Sequence, residues 1–164
     1  MGKFLESAKP EQVQFKNLSA TISEQARAEG LFKGKPRPFC LPPEYAEENL
    51  YPPIRQAAMA FFANNNIGWH QGQDSKPSNH LCDSQVACIN FLFPFADKPE
   101  ELANLLRPIF PQLDHMIPVE DGLYVSFEWI GEDNYLGERA SKNGNRTRGA
   151  NFTSTDAIVM LKDD

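Results

Sequence analysis

The sequence has no apolar run near the ~20 residues a membrane-spanning helix needs, and residues 1–10 lack the apolar centre of a secretory leader. Cysteine is scarce. Cys40, Cys82 and Cys88 are an odd set, which excludes a fully paired disulfide framework and points to a reduced, cytoplasmic protein. Positive charge is also short: 16 Lys and Arg stand against 22 Asp and Glu, a net charge of −6. That balance argues against a protein that coats nucleic acid by its overall field. No Gly-rich phosphate loop and no Gly-x-Ser-x-Gly elbow occurs, and no internal repeat. His70, His80, Cys82 and Cys88 lack the paired-cysteine spacing of structural zinc sites, so Cys88 reads better as a small core residue.

What is present is the material of one α+β domain with a leading arm. All 13 prolines precede residue 120, so that part should be loop-rich with short helices. Residues 1–43 read as a partly flexible N-terminal arm and 44–164 as the domain proper. Within the arm, 11–29 has sparse apolar positions that allow a helix. The basic stretch Lys33-Gly34-Lys35-Pro36-Arg37-Pro38 reads as an extended segment, either a solvated tether or a DNA-contacting arm.

In the domain, residues 44–50 and 54–64 should be helical, the second placing Ile54, Ala57, Ala58, Phe61 and Phe62 on one face. Residues 84–93 form the most apolar helix candidate, with Asp83 or Ser84 able to cap it. Residues 99–106 follow as an amphipathic helix with Glu100 and Glu101 in its first turn. The period then changes. From Tyr124 to Ile130 apolar and polar residues alternate, Val125, Phe127 and Trp129 against Ser126 and Glu128, as in a half-buried strand. A polar loop follows, and residues 156–161 read as a final apolar strand opened by Asp156.

A carboxylate opening such a strand can hold a divalent metal, because the strand fixes the backbone beneath it. A plain strand-start aspartate is the alternative. Beside Asp156 the chain concentrates cations: Arg139, Lys142, Arg146 and Arg148 occur with no acid between Arg139 and Asp156. Arg146, Arg148 and Lys142 could meet phosphate oxygens, or Arg146 or Arg148 could pair structurally with Glu138. Gly149 and Asn151 suit unusual backbone angles near the site. Glu128 could approach Asp156 from the neighbouring strand or stay solvated. Ser84 and Gln85 open the central helix, whose free amides could take an anion, or they simply cap it.

Several blocks occur together and in order: His80-Leu81-Cys82-Asp83-Ser84-Gln85, Asn90-Phe91-Leu92-Phe93-Pro94-Phe95, Phe127-Glu128-Trp129-Ile130-Gly131, Asn134-Tyr135-Leu136-Gly137-Glu138, and Arg146 through Asp156. With them the chain resembles a restriction-endonuclease-like family of the PD-(D/E)xK nuclease group, from about Tyr45 onward. The resemblance implies helices followed by the start of a mixed sheet, with Mg²⁺ as cofactor and DNA as partner. It implies Asp156 as metal ligand, Glu128 and Glu138 as second-rank acids, and Arg146, Arg148, Lys142, Asn151, Ser84 and Gln85 as DNA-binding candidates.

The family's Glu-x-Lys, expected on a third strand soon after residue 164, does not occur in these 164 residues. The expectation is therefore a sheet and a site incomplete at the C-terminus, with the strand opened by Asp156 left as an unpaired edge. Such a chain should not cleave duplex DNA by itself; a missing segment or a second copy would complete it. The alternative is a non-catalytic DNA-binding or protein-interaction module on the same scaffold.

Overall fold

The computed structural model describes residues 3–70, 72, 75–131, 133–134, 136–138, 146–149 and 152–163. Their elements run α1 (Lys3–Leu18), β1 (Gly30–Phe32), β2 (Lys35–Arg37), α2 (Arg55–Asn64), α3 (Ser84–Leu92), α4 (Pro99–Leu106), β3 (Leu113–Ile117), β4 (Val125–Trp129) and β5 (Thr155–Asp163), with short 3-10 turns between them. This is a mixed α+β fold with two small antiparallel sheets. Among the described residues no helix is long and apolar enough to cross a membrane. The chain divides into two compact units, Met1–Asn65 with Trp69–Asn90, and Asn66–Gly68 with Phe91–Asp164.

In the first unit, α1 begins and ends earlier than the sparse apolar pattern of 11–29 predicts. It stops at Leu18 because Ser19 Oγ accepts the Thr21 amide at 3.1 Å, a local bond that competes with the helical ladder. Lys16 turns inward at 3% exposure and donates Nζ to the carbonyls of Ala28 and Cys40, both at 3.1 Å. The basic stretch after it is a hairpin: β1 pairs β2 from Gly30↔Arg37 to Phe32↔Lys35, around Lys33 and Gly34. The unit's interior joins Ile22, Ala26, Leu41 and Leu81, with Tyr45 against them.

Residues 43–49 form a 3-10 helix, with Pro43 at its start. On α2 and the turn before it, Ile54, Ala58, Phe61 and Phe62 are buried as the apolar spacing predicts, whereas Ala57 faces solvent. Trp69 stacks on Phe62 at 4.0 Å. Asp83 is the cap of α3, its Oδ1 accepting the Val86 amide at 3.1 Å.

The second unit is built on a three-stranded sheet of order β3-β5-β4, antiparallel throughout. Two expectations are corrected here. The strand opened by Asp156 is not an edge: β5 is the central strand, bonded to β3 on one side and β4 on the other. The partner unforeseen in the sequence, β3, hides its period. Its ladder shifts register between Leu113 and His115, so the buried positions Leu113 and Met116 lie three apart, and the two-residue alternation of a strand is lost. The second correction concerns β4. Ser126 and Glu128, expected on a polar face, are as buried as Val125 and Phe127.

Candidate functional site

The site elements belong to the second unit. β5 carries Asp156 as its second residue, and the carboxylate is exposed. The pairs Phe127↔Ala157 and Trp129↔Thr155 bracket Asp156 and Glu128 on neighbouring strands. Glu128 nevertheless differs in environment. It is 7% exposed, its backbone takes φ +48°, and its carboxylate accepts the Ser154 hydroxyl. A positive φ is rare for a residue with a side chain and breaks the alternation of the strand at that point. Strand period alone therefore misassigned its exposure.

Arg148 explains how β4 becomes buried on both faces. Its Nη2 and Nη1 donate to the two carboxylate oxygens of Glu120, at 2.8 and 3.1 Å. Nη2 also donates to Ser126 Oγ at 2.8 Å and to the Phe127 carbonyl, while Nε reaches the Glu128 carbonyl at 3.2 Å. Ser126 Oγ in turn donates to Glu120. A planar guanidinium suits this forked acceptance. The Arg148 carbonyl accepts the Gly68 amide at 3.0 Å. Gly149 follows at φ +69°, where an added Cβ would lie 2.6 Å from the Gly68 carbonyl oxygen. Glycine is required there by both the angle and the space.

Glu138 does not pair with Arg146 or Arg148. Its carboxylate accepts the Thr153 amide at 3.1 and 3.2 Å and the Thr153 hydroxyl at 2.7 Å, while its own amide bonds Asn134 Oδ1 at 2.9 Å. It staples the loop ahead of β5. Arg146 lies over the Phe152 ring, 5.5 Å from its centroid, with Nη2 donating to the Gly131 carbonyl at 2.7 Å.

Ser84 and Gln85 belong to the other unit, within the part ending at Asn90. There Gln85 is buried and its Oε1 accepts the His70 amide at 2.7 Å, whereas Ser84 is exposed. Lys142 and Asn151 fall outside the described residues. Of the partners of Arg148, Glu120 was not singled out in the sequence, and Ser126 was placed only on the polar face of its strand. The available signal was a glutamate directly before Asp121-Gly122, a turn pair with φ +50° and +76° that returns the chain into β4.

The described residues supply only part of the oxygen set that the Mg²⁺ implied by the resemblance would need. Among the described residues no group of three or more His, Cys, Asp or Glu side chains is arranged to hold a metal ion. Asp156 offers one exposed carboxylate, Glu128 is engaged by Ser154, and Glu138 by Thr153.

Neither a curated protein nor a solved structure matches the chain significantly. A family model does, over residues 9–164, and it is described as Restriction Endonuclease associating with ARP. With that match covering nearly the whole sequence, the chain belongs to this restriction-endonuclease family.

Proposed function

We propose that the chain is a PD-(D/E)xK-type, restriction-endonuclease-like domain directed at DNA phosphodiesters, in which Asp156 is the first metal-ligating acid. The observation that carries this reading is the place of Asp156 near the start of a central strand, in a chain of restriction-endonuclease family. A central strand is held on both sides, which makes it a rigid mount for a ligand. The acid set within these residues is partial, since they contain no Glu-x-Lys. Mg²⁺ keeps several waters but still needs correctly placed oxygens, so Asp156 alone would hold it weakly and residues 1–164 would not cleave unaided. Further ligands would come from a second copy, a partner chain or additional sequence. Glu128 and Arg148 then serve as supports of the strand pair rather than as reacting groups.

A second reading, a DNA-binding or protein-interaction module without catalysis, draws on the ligand-poor surroundings of Asp156 and on the family's description, which names an association with ARP. Mn²⁺ added as a paramagnetic stand-in for Mg²⁺ separates the two. The first reading expects line broadening centred on Asp156 and lost in Asp156→Asn, and the second expects none there.

A further inference from the structure

We propose that the β1–β2 hairpin is a contact surface for the phosphate backbone of duplex DNA. The inference rests on the DNA-directed reading above for its choice of polyanion; its geometry is independent of Asp156.

The hairpin concentrates positive charge. Between Glu29 and Glu44 the chain carries Lys33, Lys35 and Arg37 and no acid, within a protein of net charge −6. The cations are not dispersed along a tether. Residues 33–38 are all exposed, and Lys35 and Arg37, two apart on β2, share a face of the ribbon. Lys9, paired with Glu6 at 2.9 Å, lies 5.4 Å from the Phe39 ring centroid. Lys33 Nζ lies 5.2 Å from that of Phe32. Both rings meet His80 edge-on at 4.9 Å, so the cations stand around one aromatic base.

The hairpin is also preorganised. Asn79 Nδ2 donates to the carbonyls of Leu31 and Leu41, the Gly30 amide to Cys40, the Cys40 amide to Arg37, and the Leu81 amide to Phe39. A held ribbon loses less freedom on binding than a loose chain. A two-stranded ribbon is also an element that a major groove admits, with phosphates along both walls.

The turn of the hairpin carries a cation of its own. Lys33 and Gly34 are its two central residues, at φ +51° and +73°. Both values are positive, as hairpin turns of this length require, and asparagine or glycine meets that requirement at lower cost than lysine. The tip thus carries a cation where the backbone disfavours it, and strain of this kind collects at functional positions. Lysine and proline on a strand can also act only to deter edge-to-edge aggregation; that role predicts no effect on DNA binding.

The test is duplex DNA binding by the full chain, followed by fluorescence anisotropy across a salt series. The variant Lys33→Asn with Lys35→Gln and Arg37→Gln keeps a turn-compatible residue at the tip. Each lost phosphate contact lowers the slope of log K against log salt by about 0.9, so the slope should fall by roughly 2–3 and affinity at low salt by more than about tenfold. Lys3→Gln with Lys98→Gln and Lys162→Gln removes the same charge from exposed positions elsewhere and should change binding far less. Equal losses in both variants would overturn the proposal, as would preference for duplex RNA.

In the wild-type chain, DNA should perturb the backbone amides of residues 33–35 and 37, a readout that survives if the variant misfolds; unperturbed amides there would overturn the proposal. A wild type that binds DNA undiminished by the hairpin changes discards this surface alone. A wild type that binds no duplex even at low salt discards the surface and the DNA-directed reading together.

Discussion

Replacing Arg148 by Met keeps the aliphatic length of the side chain and deletes its guanidinium. In the wild type that group serves both Glu120 oxygens, Ser126 Oγ and the carbonyls of Phe127 and Glu128. The side chains of Arg148 and Glu120 are 13% and 24% exposed. Breaking a fully buried pair costs about 3–5 kcal/mol, whereas exposed pairs contribute about 0–1 kcal/mol. Water can reach Glu120 in the variant, so the loss should lie between these limits, at about 2–3 kcal/mol, much of it from the Glu120 carboxylate and Ser126 hydroxyl that lose their cation. Urea unfolding reads the change from the shift in midpoint at constant slope. A cycle with Glu120→Gln should return a coupling of about 1–2 kcal/mol between the two sites. A loss below about 0.5 kcal/mol with no coupling would refute the reasoning, and would return Arg148 to the solvent-facing, phosphate-contacting role its sequence position allows.

Two further outcomes follow from the geometry. Gly149→Ala should cost about 2 kcal/mol or more, because a left-handed residue gains a Cβ that would stand 2.6 Å from a carbonyl oxygen; a urea midpoint unchanged from wild type would contradict this. Burial pushes the His80 imidazole below its ordinary 6.5, against the pull of Asp83 and with Lys9 and Arg37 adding to the shift, while Nδ1 accepts the Cys82 amide at 3.0 Å. The unfolded chain therefore takes up the proton first. Stability from this group is complete above pH 6.5 and lost as pH falls through the depressed folded value, so His80→Phe should flatten the acid side of the stability–pH curve, and equal slopes in both proteins would contradict the assignment.

The helices were largely legible from spacing and proline placement. Pro99–Leu106 and the start of α3 at Ser84 lie where the pattern puts them, because a proline or a capping aspartate marks each boundary locally. Val125–Trp129 was legible because polar and apolar residues alternate in its sequence, and the strand opened by Asp156 because it is a continuous apolar run. The register shift in β3 erased its period, and with β3 unseen the central strand was taken for an edge. The hairpin of 30–37 was hidden because its turn uses lysine where the usual signal is asparagine or glycine.

At the site, Asp156 and the Arg148-Gly149 pair were visible by type and position. Their partners were not. Glu120 lies 28 positions from Arg148 and joins it only through the fold, and Glu138 bonds Thr153 rather than either arginine offered as one possible partner. Pairings of this kind depend on tertiary return paths that no local pattern encodes.

The place where a divalent cation first settles tests the role of Asp156 most directly. Titrating residues 1–164 with Mn²⁺ while recording backbone amide spectra should bleach Asp156 and its strand neighbours first and only at high metal concentration, with the effect abolished in Asp156→Asn and no plasmid nicking in Mg²⁺ by either protein. Bleaching that centres elsewhere or persists in Asp156→Asn would contradict the assignment of Asp156. Mg²⁺-dependent nicking by these residues that Asp156→Asn removes would contradict the partial acid set.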